Sequence, residues 1–195
     1  KRAVIDRSIP DFRFGLYDGV AAFNHETGKL HLVAAGVHRS EAEVLEQLQA
    51  IVAGEGAPKK SEAFTIGEWV WNLSKDEFLG AVAKVKDFIA RGDVYQVNLS
   101  RRARCPFEGS ALQLYAALRS GNPAPYSAYI AAGGLTLLST SPEQFLLKRG
   151  NHLETRPIKG TRPRGFTPEM DILNAEDLRQ SAKDRAELLM IVDLE

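Results

Sequence analysis

Two pairs of strand-like segments, each pair joined by a glycine turn, constrain the fold of this chain more than any other feature. The segments are rich in apolar, aromatic or β-branched residues, and the turns are Gly133-Gly134 and Gly150-Asn151. Glycine and asparagine adopt the backbone conformations that tight hairpin turns require. The sequence therefore predicts two successive antiparallel hairpins in the second half of the chain. Their strands are 126–132, 135–140, 145–148 and 152–155.

Helices are inserted between the predicted strands and do not alternate regularly with them. The capping-box pattern S-x-x-E starts one helix after Ser40 and another after Ser74. A third helix runs from Ser110 to Gly121, and Thr167-Pro168 opens a final helical region. This order predicts an α+β fold and argues against a doubly wound sheet. Further strands are predicted over 16–23, 29–35 and 94–102, and a linker over 55–61.

Composition excludes several classes of protein. The 195 residues carry 25 basic and 25 acidic side chains, so no global positive charge favours nucleic acid. A single cysteine, Cys105, excludes an internal disulfide and a cysteine-cluster zinc site. The longest apolar region, 126–138, is broken by glycines and is too short to span a bilayer, and the first residues lack a signal-peptide core. We expect a cytoplasmic protein that binds neither nucleic acid nor membranes.

The ends of the sequence suggest a piece of a longer protein. Apolar residues 188–192 continue a helical pattern, and the chain stops three residues later without a glycine or asparagine stop signal. The sequence also begins without methionine. We therefore expect that the parent protein extends beyond both ends and that this piece alone is inactive.

A constrained basic loop, residues 156–165, is the first candidate for chemistry. Pro157 and Pro163 fix the backbone torsion φ, and Gly160 permits backbone conformations that other residues resist. Lys159 lies in this loop among three arginines. Nearby positive charge and partial burial favour the neutral amine, which is the nucleophilic form. The alternative is an arginine-rich surface turn.

Two glutamates are candidate partners of this lysine. Glu143 follows a strand between apolar segments, which favour its protonated form and suit a general acid. The hairpin that comes next returns the chain, so Glu143 is expected close to Lys159. Glu187 heads an apolar helical run and suits a magnesium site, because Mg²⁺ takes few protein carboxylates and leaves room for substrate oxygens. The alternatives are an exposed turn residue for Glu143 and a surface ion pair for Glu187.

Six segments, in order along the chain, share their pattern with one known family. They are GLYDGVAAFNHETG, GDVYQVNLSRR, NPAPYSAYI, STSPEQF, TRPIKGTRPRG and KDRAELLMIVDL. Together they resemble the chorismate-utilising enzymes and, within that family, the aminodeoxychorismate synthase branch. The resemblance implies a chorismate-binding fold of mixed antiparallel sheets and packed helices, truncated at both ends. Residues 1–70 would end an N-terminal subdomain, and residues 74–195 would begin the catalytic domain.

The resemblance also implies a role for each candidate. Glu143 would be the general acid/base, and Lys159 the nucleophile that adds covalently to the chorismate ring. Glu187 would be one of two glutamates that hold Mg²⁺ against the ring carboxylate, and the second would lie beyond residue 195. The substrate pocket would include Gln96, Asn98, Gly160 and Thr161.

Three positions separate this chain from other branches of the family. Members that add water carry a lysine at the position of Gln96. Anthranilate synthases carry an alanine at the position of Lys159 and usually a less polar segment around the position of Asn98. Lys159 together with Asn98 therefore points to amination of chorismate at C4, for folate and para-aminobenzoate synthesis. Anthranilate synthase component I remains an alternative, and so does a non-catalytic binding or scaffold module that keeps the fold.

The implied reaction needs a source of ammonia. The chain has no Cys–His pair suited to glutamine hydrolysis. We therefore expect ammonia to come from a separate glutamine amidotransferase subunit, with chorismate as the other substrate and Mg²⁺ as the cofactor.

Overall fold

The computed structural model describes residue 10, residues 12–54 and residues 63–195. The chain divides into two compact units, Lys1–Lys60 and Ser61–Glu195. Both contain helices and antiparallel strand pairs, which confirms the predicted α+β class. The predicted linker over 55–61 lies outside the described residues.

In its described residues, the first unit is a hairpin covered by one helix. Strand β1 (Gly19–Asn24) pairs antiparallel with β2 (Lys29–Ala34), as predicted. Helix α1 (Glu41–Val52) begins at the predicted Ser40 capping box and buries Val44. A Cβ atom on the first residue of β1 would lie 2.5 Å from Val44 Cγ1. Glycine at that point therefore lets the helix approach the hairpin closely.

Asp18 ties the start of this hairpin to the turn that precedes α1. Its side chain is only 5% exposed and accepts a hydrogen bond from the His38 backbone N–H at 3.1 Å. Arg39 Nε lies 3.5 Å from the other carboxylate oxygen. A carboxylate buried to this degree requires such partners, so Asp18 has a structural role in this unit.

Four antiparallel strand pairs form the sheets of the second unit in its described residues. They are β3 (Phe64–Ile66) with β6 (Phe107–Gly109), β4 (Val70–Trp71) with β5 (Ala103–Arg104), β7 (Tyr126–Ala132) with β8 (Leu135–Ser141), and β9 (Gln144–Arg149) with β10 (His152–Arg156). The last two pairs are the hairpins that the sequence predicts. The β9–β10 pairing shifts register between Glu154 and Arg156.

Over residues 63–195 the second unit also contains four helices, each with a serine or threonine N-cap. The helices are α2 (Lys75–Ala90), α3 (Ala111–Gly121), α4 (Pro168–Gln180) and α5 (Ala182–Val192). Ser181 serves two of them. Its N–H donates to the Leu178 carbonyl at 3.3 Å, and its hydroxyl accepts from the Asp184 N–H at 3.2 Å. It therefore ends α4 and begins α5. Among the described residues, none of the helices has the length and apolar character needed to cross a membrane.

The prediction of a strand over 94–102 is wrong. Residues 93–102 are irregular, and pairing starts only where the Asn72 N–H donates to the Arg102 carbonyl at 3.0 Å. The alternation of apolar and polar residues is present in the sequence, but a strand also needs a neighbour that accepts its backbone hydrogen bonds. Tyr95 and Val97 are 57% and 40% exposed, so no sheet buries the apolar side of this segment in the part that the structure describes.

Candidate active site

The β8–β9 turn and the basic loop after β10 are in direct contact. Glu143 lies between the two strands, is half-buried, and its N–H donates to Ser141 Oγ at 3.3 Å. Its carboxylate atom Oε1 accepts a hydrogen bond from the Ile158 N–H at 3.1 Å. The β9–β10 hairpin returns the chain between these points, as the sequence argument expects. Glu143 therefore contacts the residue immediately before Lys159.

Gly160 places the backbone of the loop directly against helix α5. Its φ is +73°, and a Cβ atom there would lie 2.7 Å from Asp184 Cγ and 2.8 Å from Asp184 Cβ. No side chain larger than hydrogen fits without a shift of the loop or the helix. Lys159 precedes this contact and is half-buried. The lysine is thus held between a carboxylate contact on one side and a helix contact on the other.

Arg162 joins the loop to both C-terminal helices. Its guanidinium binds Asp177 on α4, and its Nη1 lies 3.2 Å from Asp184 Oδ2 on α5. The Asp184 side chain is 15% exposed. The Ser181 hydroxyl and then the Arg162 guanidinium hold the pKa of the Asp184 carboxyl below its usual value. Arg162 and a charged Asp184 carboxylate therefore link the loop to the first turn of α5.

The other two arginines of the loop are also bound by carboxylates. Arg164 makes a two-point contact with Asp171 at 2.7 and 2.6 Å, and Arg156 Nε lies 2.6 Å from Glu154. From the sequence, the three arginines were expected to add positive charge beside Lys159. In the structure each arginine has a carboxylate partner, so the positive charge around the amine is largely compensated.

These carboxylate partners are the residues that the sequence argument missed. Asp171, Asp177 and Asp184 lie on α4 and α5, beyond the loop that they bind. The one available signal was a series of aspartates following a series of arginines. A charge pattern of that kind indicates ion pairing but does not say which residues meet.

Glu187 lies on α5 three residues after Asp184 and is half-buried. Residues three apart on a helix are neighbours on one face, so Glu187 lies one turn from the point where the loop contacts the helix. Its carboxylate fits one ligand of a magnesium site, because Mg²⁺ is commonly held by one or two carboxylates with substrate oxygens and water. Among residues 12–54 and 63–195, no three His, Cys, Asp or Glu side chains cluster as a metal site.

The segment that carries Gln96 and Asn98 lies beside the other end of α5. Gln96 is half-buried and Asn98 is exposed. Their neighbour Tyr95 lines a cavity of about 590 Å³ together with residues of the helix. That volume is in the range of small-molecule sites. The wall of the cavity also includes Ala186, Leu189, Met190 and Val192 of α5 and Asp193, the C-cap of the helix.

The predicted residues therefore fall into two groups around α5. Glu143, Lys159 and Gly160 lie together where the loop meets the first turn of the helix, and Thr161 is exposed beside them. The segment with Gln96 lies at the cavity along the later turns. Asp184, which contacts the loop, and most of the residues that line the cavity lie on α5, so α5 is the element that relates the two groups.

Comparisons with known proteins match nearly the whole of this chain. A family model described as chorismate binding enzyme matches residues 2–195. The aminodeoxychorismate synthase component 1 of Bacillus subtilis is 39% identical over 97% of this chain and 42% of its own length. The anthranilate synthase component 1 of Thermus thermophilus is also 39% identical, over 97% of this chain and 41% of its own length.

A solved structure confirms the likeness in three dimensions. The crystal structure of anthranilate synthase component I from Streptococcus pneumoniae matches with a TM-score of 0.72 and 25% identity, over 91% of this chain and 40% of that chain. This chain therefore spans about two fifths of the length of the relatives that it matches.

Proposed function

The chain belongs to the chorismate-binding enzyme family, and we propose that the protein containing it converts chorismate and ammonia to 4-amino-4-deoxychorismate. Relatives named for this reaction and for anthranilate synthesis match equally well at 39% identity, so identity does not choose between them. The observation that carries the proposal is the placement of Lys159. It is half-buried, and the N–H of the residue before it, Ile158, donates a hydrogen bond to the Glu143 carboxylate. By the family resemblance, anthranilate synthases have no amine at this position.

The proposed chemistry uses the lysine and the glutamate in two steps. The neutral Lys159 amine forms a bond to C2 of the ring, both conjugated ring double bonds shift by one position, and the C4–O bond breaks. Glu143 gives its proton to the departing hydroxyl, which leaves as water. Ammonia then bonds to C4, both double bonds shift back, the C2–N bond to Lys159 breaks, and the extra proton of the new amine returns to Glu143. Such covalent catalysis replaces one difficult displacement with two easier ones.

Glu187 is the residue of this chain that would hold Mg²⁺. When bound, the ion would supply positive charge for the ring carboxylate of chorismate. Glu187 stands one helical turn from Asp184, where the lysine loop contacts α5. A carboxylate anchored there would set the distance between the ring and the amine, and this positioning is a large part of catalysis.

Ammonia would come from a partner protein. The relatives are named component 1, which implies a further component in those enzymes. We propose a glutamine amidotransferase for this role.

Two substitutions in the full-length protein test the function. Incubation with chorismate, ammonium and Mg²⁺ should give aminodeoxychorismate with the wild type. Lys159→Ala should remove the covalent route and shift the product towards the anthranilate pathway, because ammonia can then attack C2 directly and give the C2-amino isomer, which yields anthranilate once it loses pyruvate. Glu143→Gln should suppress both products, since each needs the leaving hydroxyl protonated. Mass spectrometry of protein trapped with chorismate should show an adduct on Lys159.

The matched control is Lys148→Ala, which removes an exposed lysine of strand β9. It should keep the wild-type product and rate. Accumulation of anthranilate by the wild type would instead favour the second candidate, anthranilate synthase, which the equally similar relative and the solved structure support. Normal aminodeoxychorismate synthesis by Lys159→Ala would refute the role of the lysine.

A further inference from the structure

We propose that Asp184 and Arg162 are positioning residues. They hold the loop that carries Lys159 at a fixed position against helix α5 and thereby direct the amination to C4. The proposal rests on the function proposed above, because the lysine must act as the nucleophile for its position to matter. The two residues do not contact the reacting atoms in this scheme. They act through the loop that carries the amine.

The first support is that the loop is fixed on both sides of the lysine. On one side the Ile158 N–H binds the Glu143 carboxylate at 3.1 Å. On the other side Gly160 lies against Asp184, with space for hydrogen only. The backbone of Lys159 is therefore held between the residue proposed to protonate the leaving group and the helix proposed to carry the metal ligand.

The second support is the environment of Asp184. Its side chain is 15% exposed, whereas Asp177, the other partner of Arg162, is 66% exposed. Removing one partner of an exposed ion pair costs little, and removing one partner of a shielded pair costs more. The Asp184 contact is the more shielded of the two and ties the loop to α5, while the Asp177 contact ties it to α4.

The third support is the position of Glu187. It follows Asp184 by three residues on the same helix, so both side chains lie on one face. Because the helix is rigid, the distance between Asp184 and Glu187 is fixed. Releasing Asp184 from the loop would leave Glu187 in place and move the amine relative to it.

A displaced amine has a specific chemical consequence. Attack by Lys159 on C2 requires near-contact geometry, and a misplacement of about 1 Å can lower the rate by about a hundredfold. Ammonia does not depend on the loop, so its direct attack on C2 becomes competitive. Loss of positioning should therefore appear as a change of product as well as a change of rate.

The experiment compares two Asp→Asn variants of the full-length protein. Asp184→Asn removes the charge that binds Arg162 on α5, and Asp171→Asn removes the charge that binds Arg164 on α4. Both partners are arginines of the same loop, so the second variant is the matched control. The readouts are the kcat and KM for chorismate, the ratio of anthranilate to aminodeoxychorismate, and the yield of the Lys159 adduct.

We expect Asp184→Asn to lower kcat about tenfold to a hundredfold with little change in KM, because positioning acts on the reacting geometry. The anthranilate fraction should rise and the adduct yield should fall. Asp171→Asn should leave kcat, product ratio and adduct yield at the wild-type level. Should Asp184→Asn fail to fold, Arg162→Lys carries the same test, since lysine keeps the charge but loses the planar fork that reaches both aspartates.

Equal effects of the two Asp→Asn variants on kcat and product ratio would overturn the positioning role, and so would an Asp184→Asn variant with wild-type values for both. Failure of the proposed function is recognised separately. In that case the wild type itself makes no aminodeoxychorismate and forms no Lys159 adduct.

Discussion

Gly160→Ala should detach the lysine loop from helix α5. At a φ of +73° an L-residue costs about 1–2 kcal/mol relative to glycine. The added Cβ would also lie 2.7, 2.8 and 2.9 Å from Asp184 Cγ, Cβ and Oδ1. Overpacking of this kind costs about 1–3 kcal/mol. The docked conformation of the loop should therefore lose about 2–5 kcal/mol, the sum of these two costs.

A second glycine separates the two costs. Gly150 in the β9–β10 turn has a φ of +59°, and a Cβ atom there would meet nothing within 4 Å. Gly150→Ala should therefore show the backbone cost alone. The contact with Asp184 is the difference between the variants, about 1–3 kcal/mol, or about a fivefold to 150-fold change in an equilibrium constant.

Hydrogen exchange in the full-length protein reports the opening of the loop itself. The Ile158 N–H is hydrogen-bonded to Glu143 and should exchange faster when the loop opens. We expect faster exchange at Ile158 in Gly160→Ala, together with a fall in kcat, and wild-type exchange there in Gly150→Ala. If the two variants exchange equally at Ile158, the contact between Gly160 and Asp184 does not hold the loop.

Three further predictions concern other parts of the second unit. Ser74→Ala removes the cap whose hydroxyl accepts from the Glu77 N–H at 3.2 Å and should cost about 1 kcal/mol in urea unfolding, whereas Ser74→Thr should cost less. Arg164 lowers the pKa of Asp171 below its ordinary 3.8, so this group stabilises the fold above about pH 4 and loses that effect as pH falls through the folded value. The unfolding midpoint of the wild type should therefore fall more between pH 5 and pH 3 than that of Asp171→Asn, and equal falls would contradict the ion pair. Glu187→Gln should raise the Mg²⁺ concentration needed for half-maximal activity, and an unchanged requirement would exclude Glu187 as a ligand.

The parts of the fold that the sequence predicts are those specified by neighbouring residues. The glycine turns fix the two hairpins, and the serine and threonine caps fix the helix starts, because each signal acts within a few residues. The segment 94–102 has the alternation of a strand and is not one. Its conformation depends on whether another strand lies beside it, and no local pattern contains that information.

The candidate site divides in the same way. The approach of Glu143 to the lysine loop was predictable, since a hairpin must return the chain to its starting point. The partners of the arginines were not. Asp177 and Asp184 meet Arg162 only because α4 and α5 pack in one particular orientation, and that orientation is set by contacts between elements. The charge pattern alone leaves several pairings open.

The junction between α4 and α5 consists of one residue, Ser181, so its length fixes how α5 is oriented relative to the lysine loop. One residue closes the first helix and caps the second, so no spare residue is available to absorb a change of length. An insertion there would turn α5 by about 100° and advance it by about 1.5 Å, because an α-helix has 3.6 residues per turn. Asp184 would then leave Gly160, and Glu187 would face a different direction. The serine therefore acts as a spacer of fixed size that sets the rotational phase of the helix against the lysine loop.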